Sequence, residues 1–134
     1  MYMDSKKILE MLENEGLDEI DQIEYKEGIL VYDFFYTYDS EELESAKEFA
    51  NESTEQGVSE KEWNEKYFLP FLTEIAADNI RDILGDICDE LKLQGEFVAY
   101  EIDQDSYEQC EFVIVLSEEG KEISIDDIFR ELEL

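Results

Sequence analysis

Negative charge is the feature that most limits how this chain can fold and what it can bind. Of its 134 residues, 39 are Asp or Glu, 10 are Lys or Arg and none is His, so the formal net charge at pH 7 is −29. A compact domain with this charge repels itself, and its field attracts basic surfaces while it repels phosphate backbones and anionic membranes. We therefore expect a basic protein partner, and we expect no direct binding to nucleic acid or to a membrane.

The apolar content is nevertheless sufficient for a folded core. Chains that are kept disordered by charge are poor in aromatic and β-branched residues, whereas 13% of this chain is aromatic and 43% is hydrophobic. A chain of this length typically forms one domain. We predict a single acidic domain over residues 1–134.

The N-terminus and the cysteines favour a reducing compartment. Residues 1–7 are not followed by the apolar run of a secretory signal, and no window is apolar enough to predict a transmembrane helix. Cys88 lies in a helical pattern and Cys110 in a strand pattern, and both are interpreted as small buried hydrophobes rather than as a disulfide. A cytoplasmic location is expected.

Two β-hairpins are predicted from the alternation of side chains along the sequence. Residues 20–26 and 29–38 flank the turn Glu27-Gly28, where glycine supplies a positive φ. Residues 97–102 and 110–116 form the second hairpin across a polar loop. Because residues 110–116 are apolar on both faces, we predict that this strand is central in the sheet.

The longest helical pattern lies between the two hairpins. Apolar residues recur every three or four positions up to residue 93, and an S-x-x-E capping box of Ser59 and Glu62 precedes them. We expect residues 68–93 to pack against the sheet. Pro70 is expected to kink or split this helix, because proline lacks the N–H and crowds the preceding turn. Gly95 is the predicted terminator.

Three shorter helices complete the pattern. The first is capped by Asp4 or Ser5 and stops at Gly16, the second is a charged segment that begins at Ser40, and the last is capped by Ser124. The segment from Ser40 is the one least committed to the core. The resulting order, α-β-β-α-α-β-β-α, predicts an α+β fold with a four-stranded antiparallel sheet packed against helices.

The absence of histidine limits the possible chemistry. It excludes Ser-His-Asp and Cys-His hydrolysis, HExxH metalloproteases and most zinc catalysis. The sequence also lacks GxxxxGK[ST], GxGxxG and CxxC. We therefore predict that the protein is not an enzyme and that it has no cofactor.

Two carboxylate motifs resemble functional sites only in part. Glu24-Tyr25-Lys26, placed on the first predicted strand, has the Glu-x-Lys spacing of some metal-dependent nucleases, but a nuclease with this charge would repel its substrate. Residues 103–114 superficially follow a calcium loop, yet Glu108 stands where an EF-hand needs glycine and Ile114 where it needs glutamate. A solvated hairpin tip without a dedicated metal site is the preferred interpretation.

An aromatic ladder runs along the second predicted strand. Tyr32, Phe34, Tyr36 and Tyr38 share one face. Nucleobase-stacking platforms lie in positively charged grooves, whereas this strand has acidic neighbours. Core packing beneath a helix is therefore expected.

Two lysine-poor acidic rows form the candidate binding site. The first row lies within residues 39–48 and the second within residues 101–111. Alternate residues of a strand are roughly 7 Å apart, about twice the 3.4 Å charge spacing along a DNA strand. The predicted partner-binding residues are Asp39, Glu41, Glu42, Glu44, Glu48, Glu101, Asp103, Asp105, Glu108 and Glu111.

Two functional hypotheses of different class follow. The first is an inhibitor or decoy that covers the basic nucleic-acid-binding surface of a nuclease or another DNA- or RNA-handling protein, such as an anti-CRISPR or anti-restriction DNA mimic or a nuclease-toxin immunity protein. The alternative is an acidic adaptor or regulatory protein that binds its partner mainly through apolar contacts. Salt distinguishes them, because only an electrostatic decoy loses affinity steeply with ionic strength.

Overall fold

The protein folds in the order that its sequence pattern predicts. The structure is a computed structural model, and it describes residues 4–54 and 57–134. The helices are α1 (Ser5–Asn14), α2 (Ser40–Ser53), α3 (Glu60–Trp63), α4 (Leu69–Leu91) and α5 (Ile125–Leu132). The strands are β1 (Asp18–Ile23), β2 (Ile29–Thr37), β3 (Leu93–Ala99) and β4 (Gln109–Glu118). A π-helical turn over Asn64–Phe68 joins α3 to α4 into one helical segment.

The four strands form one antiparallel sheet in the order β1-β2-β4-β3, which confirms the predicted fold class. The two hairpins join along β2 and β4, whose register runs without a shift from Ile29 opposite Ser117 to Thr37 opposite Gln109. β4 is central, as predicted, and residues 112–116 are buried on both of its faces.

The main core lies on the sheet face that carries the aromatic ladder. Tyr32, Phe34 and Tyr38 are buried there beneath α1, α2 and α4, and Tyr36 is half-buried. The hydroxyl of Tyr32 donates to the carbonyl of Ser5 at 3.0 Å, and that of Tyr38 donates to the carbonyl of Leu72 at 2.6 Å. The predicted core packing of the ladder is confirmed, and its buried phenols retain hydrogen-bond partners.

The opposite sheet face is covered by α5. Val31, Val113 and Val115 form a second, smaller core with Ile128 of that helix. Alternation along the strands places Asp33 of β2 on this same face. One charged side chain therefore lies between the apolar side chains of Val31 and Phe35 on this face of β2.

Pro70 does not divide the helical segment in two, because residues 60–91 are helical without a break. The π-helical turn ends at Phe68, and Pro70 stands in the first turn of α4. The missing N–H of Pro70 instead interrupts the i→i−4 hydrogen-bond ladder where the π-helical turn meets α4.

The predicted role of Gly95 is wrong. α4 ends at Leu91, Lys92 reverses the chain with a left-handed φ of 56°, and Gly95 lies inside β3. A Cβ on Gly95 would stand 2.8 Å from a methyl carbon of Leu116 and 3.0 Å from one of Leu84. Glycine therefore fits the close approach of α4 to β3, and it does not mark a helix end.

Two strands also begin and end earlier in the sequence than predicted. β1 covers Asp18–Ile23 rather than 20–26, and it is bulged at Glu19, which has a φ of 50°. β3 begins at Leu93 and ends at Ala99 rather than covering 97–102, because the chain already reverses at Lys92.

The predicted caps and turn glycines are confirmed. Side chains of Asp4, Ser59 and Ser124 each accept a backbone N–H at the start of a helix, while Gly16 and Gly28 have φ of 80° and 86°. α2 packs on the core through two fully buried alanines, Ala46 and Ala50. The segment from Ser40, expected to be the one least committed to the core, thus contributes two buried residues to it.

Candidate functional site

The first acidic row begins with a capping box that Asp39 and Glu42 build at the start of α2. The Asp39 carboxylate accepts the Glu42 N–H at 2.8 Å, and the Glu42 carboxylate accepts the Asp39 N–H at 3.0 Å. Both residues therefore have a structural role, since each satisfies an N–H group that the helix leaves without a partner. The other three members of the row, Glu41, Glu44 and Glu48, are exposed on α2.

Glu42 is further engaged below the helix. Its second carboxylate oxygen accepts the hydroxyl of Tyr36 at 2.6 Å, and the amide of Asn79 donates to that hydroxyl oxygen at 2.8 Å. Burial and the Glu42 carboxylate raise the pKa of Tyr36. Glu42 thus joins α2 to β2 and α4, and its half-buried carboxylate is the least available of the row.

The second acidic row lies mainly in the connection between β3 and β4. Glu101, Asp103, Asp105 and Glu108 are all exposed there. The Asp103 carboxylate accepts the Asp105 N–H at 2.9 Å, which fixes the tip of the loop. Beneath the loop, the Tyr107 ring packs edge-on against Phe68 at 5.2 Å between centroids.

The fold brings these two rows to the same end of the sheet. α2 follows the last residue of β2, the loop precedes the first residue of β4, and these two ends are paired, with the Tyr38 N–H donating to the Glu108 carbonyl at 3.0 Å. Lys47 of α2 lies 5.9 Å from the Tyr107 ring centroid. We call the exposed carboxylates of the two rows the end surface: Asp39, Glu41, Glu44, Glu48, Glu101, Asp103, Asp105 and Glu108.

The end surface continues into an open groove of about 650 Å³. Glu101, Asp103 and Asp105 line one side of it, and Leu69, Pro70 and Glu65 line the other. Sequence reasoning missed Glu65, because no local signal places this helical residue opposite the loop.

Glu111 does not belong to the end surface. It is half-buried on β4, opposite Phe35 and on the sheet face that α5 partly covers. Its neighbour there is Asp33, one of whose carboxylate oxygens is buried without a hydrogen bond in the described part of the chain. Burial, with the nearby carboxylates of Glu111 and Asp21, raises the pKa of Asp33 to about 7.

The acids of the end surface form no ion pair within the described part of the chain. The ion pairs found within residues 4–54 and 57–134 are Lys26–Glu131, Lys66–Glu62, Arg81–Asp78 and Arg130–Asp127. None of them involves a residue of either row. These exposed carboxylates are therefore accessible to a cationic partner.

The Glu-x-Lys triplet at residues 24–26 serves the packing of α5. β1 ends at Ile23, so the triplet lies in a loop and not on a strand as predicted. The hydroxyl of Tyr25 donates to Glu131 of α5, and the ammonium of Lys26 lies 3.4 Å from the same carboxylate.

Metal-binding groups and cysteines give no further site. Among the residues that the structure describes, no three His, Cys, Asp or Glu side chains are grouped to hold a metal ion. Cys110 is buried on β4, Cys88 is half-buried on α4, and both are free thiols. Burial raises the pKa of both thiols, to about 11 for Cys110, which disfavours the reactive thiolate.

Comparison with known proteins gives no functional assignment. No family model, no curated protein and no solved structure matches this chain. In the described ranges no helix is long and apolar enough to span a membrane.

Proposed function

We propose that this protein is a non-enzymatic inhibitor or decoy, which covers the basic nucleic-acid-binding surface of a nuclease or another DNA- or RNA-handling protein. This is the role of a DNA-mimic anti-CRISPR or anti-restriction protein, or of the immunity protein of a nuclease toxin. The observation that carries the proposal is the meeting of two acidic rows at one end of the sheet, joined by the Tyr38–Glu108 backbone hydrogen bond.

The arrangement suits a partner that normally neutralises phosphates. Such a partner presents Lys and Arg side chains that release counterions when they bind DNA. The end surface offers exposed carboxylates that form no ion pairs with the residues the structure describes. The decoy therefore competes with nucleic acid for the same Lys and Arg side chains of the partner.

The total charge of −29 supports fast capture of such a partner. Complementary charge raises association rates toward about 10⁸–10⁹ M⁻¹s⁻¹ at low ionic strength. The affinity then falls steeply as salt is added. Fast association benefits an inhibitor that must bind a harmful enzyme before the enzyme binds its nucleic acid substrate.

Affinity capture tests this proposal. The protein is used to capture partners from a nuclease-treated lysate of the source cell, the captured material is washed at low and high salt, and the bound proteins are identified by mass spectrometry. The purified partner is then titrated into a labelled DNA or RNA duplex, with and without this protein. We expect a basic partner that dissociates from this protein at high salt. We also expect that the partner cannot bind the duplex and this protein at the same time. An acidic or neutral partner, or a stable ternary complex, would contradict the proposal.

Matched charge reversals sharpen the experiment. The site variant changes Glu101, Asp103, Asp105 and Glu108 to Lys, and the control variant changes four exposed acids at the opposite end of the sheet to Lys: Asp86, Asp89, Glu90 and Glu119. Both variants have the same net charge, so the long-range field changes equally. We expect the site variant to lower the association rate and to flatten its salt dependence more than the control does.

One observation favours the adaptor as a second candidate. Phe49 of α2 is 42% exposed, and its ring stacks on Phe71 with 4.5 Å between centroids. An exposed aromatic ring of this kind is a suitable anchor for a protein partner. If Phe49→Ala weakens capture more than the four charge reversals do, and if salt has little effect, the adaptor function replaces the decoy.

A further inference from the structure

The two edges of the sheet are protected very differently. β1, at one edge, is bulged at Glu19 and carries Asp18, Glu19 and Asp21. Bulges and charges are the devices by which proteins prevent pairing with another strand. β3, at the other edge, pairs with β4 in unbroken register over Leu93–Ala99 and carries one charged residue, Glu96. β3 is therefore the edge that remains able to accept a further strand.

The hydrogen-bond phase of β3 shows which of its groups are free. Tyr100, just beyond the strand, donates its N–H to the Glu111 carbonyl at 2.9 Å, which makes this a hydrogen-bonded pair. In an antiparallel ladder such pairs alternate with non-bonded ones. The backbone N–H and C=O groups of Gln94, Glu96 and Val98 therefore point toward β4. Those of Gly95, Phe97 and Ala99 point outward, away from the sheet.

A groove flanks this edge on each side of the sheet. The groove on the α4 side, of about 530 Å³, is lined mainly by apolar atoms, which include those of Leu84, Cys88 and Phe97. Arg81 also lines it, with its guanidinium 5.7 Å from the Phe97 ring centroid. The groove on the α5 side, of about 590 Å³, is lined by Glu96, Glu122 and Asp127, together with Lys121. The Lys121 ammonium lies 3.4 Å from the Glu27 carbonyl, and in the described ranges neither Glu96 nor Glu122 forms an ion pair.

We propose that the outer edge of β3 binds an extended segment of a partner protein as an added strand, with its apolar side chains in the α4-side groove and its alternating Lys or Arg side chains in the α5-side groove. The side chains of a strand point to opposite faces in turn, so the two unlike grooves select this alternation. Such added strands bind through main-chain hydrogen bonds and are selected through side-chain pockets.

Charge argues against a second copy of this chain as the occupant. A two-fold antiparallel pairing centred on β3 places Glu96 opposite Glu96, and like charges directly opposite are destabilising. The overall charge of −29 adds repulsion between copies. The proposal does not rest on the decoy function, because none of the ten predicted partner-binding residues lies on β3.

The test uses a labelled peptide of seven residues, the length of β3, in which lysine and valine alternate. A control peptide has the same composition with its lysines and valines in separate blocks. We expect the alternating peptide to bind roughly tenfold more tightly, since only it fits both grooves at once. Hydrogen exchange should become slower at the amides of Gly95, Phe97 and Ala99 when it binds.

Two variants locate the binding on β3. Ala99→Pro removes an outward N–H without removing a ladder bond, so it should weaken peptide binding roughly tenfold while thermal stability is retained. Glu96→Lys should weaken binding more than Glu13→Lys, an equal charge change on α1. Equal affinity for the two peptides, unchanged exchange at the outward amides, or a salt-resistant dimer lost with Ala99→Pro would overturn the proposal.

Discussion

The Tyr36 hydroxyl donates a hydrogen bond of 2.6 Å to the Glu42 carboxylate, and this bond ties the end of β2 to the first turn of α2. Glu42 was predicted to be a partner-binding residue, and this contact gives it a second role within the fold. The stability of α2 therefore depends on a residue that also belongs to the acidic row.

The Tyr36→Phe variant tests this link. It leaves a half-buried carboxylate without its shortest hydrogen bond, and hydrogen bonds to charged groups contribute about 1.5–3 kcal/mol. We expect the free energy of unfolding to fall by about that amount in urea titrations. Tyr67→Phe is the control, because Tyr67 is half-buried and its hydroxyl has no hydrogen bond within the described ranges. Equal losses in both variants would contradict the role of Glu42.

A pair of glycine variants tests the approach of α4 to β3. Gly95→Ala places a methyl group against Leu116 and Leu84, and overpacking of this kind costs about 1–3 kcal/mol. Gly85→Ala on α4 meets no atom within 4 Å, so the higher helix propensity of alanine should stabilise the protein by about 0.5–1 kcal/mol. Thermal melts of both variants give the measurement. An unchanged Tm for Gly95→Ala would contradict the close packing of Gly95 against Leu84 and Leu116.

The sequence predicted those parts of the fold that depend on neighbours along the chain. Alternation revealed both hairpins, and the two apolar faces of residues 112–116 revealed the central strand. Gly95 was misassigned because its role comes from Leu84 and Leu116, which approach it only in the folded protein. A glycine shortly after a helical pattern has the same local signal in both roles.

For the candidate site, too, the sequence predicted the local features and not the contacts between distant elements. The acidic rows are local features, but their meeting depends on the pairing of Thr37 with Gln109. The contacts of Glu42 with Tyr36 and Asn79 join three elements, and the position of Asp33 beside Glu111 depends on the register of β2 with β4. Contacts of this kind leave no pattern in the sequence.

Salt should stabilise the folded protein near pH 7. The formal charge excess is −29, and the described ion pairs are all at the surface, where such pairs contribute little. Screening therefore relieves more repulsion than it removes attraction. We expect a higher Tm in about 0.5 M than in about 0.02 M NaCl. An unchanged or lower Tm at high salt would show that repulsion does not limit stability.

Asp33 should make stability depend on pH in the direction opposite to that of a salt-bridged acid. Its pKa is raised from 3.8 to about 7 by burial and by Glu111 and Asp21, so between these values the folded state holds a proton that the unfolded state releases. The contribution of Asp33 to the free energy of unfolding is thus most favourable below pH 3.8. It becomes less favourable as the pH rises to about 7. Asp33→Asn removes the charge and supplies an amide that can donate to Glu111.

The Asp33→Asn variant is therefore expected to be more stable than the parent protein at pH 8, with a gain that shrinks as the pH falls toward 4. Denaturant titrations across this range give the measurement, because linkage predicts a slope rather than a single difference. Asp126→Asn, an equal charge change at an exposed position of α5, controls for the lower net charge. A gain that is constant with pH, or that matches the control, would mean that the buried oxygen of Asp33 carries no proton in the folded state.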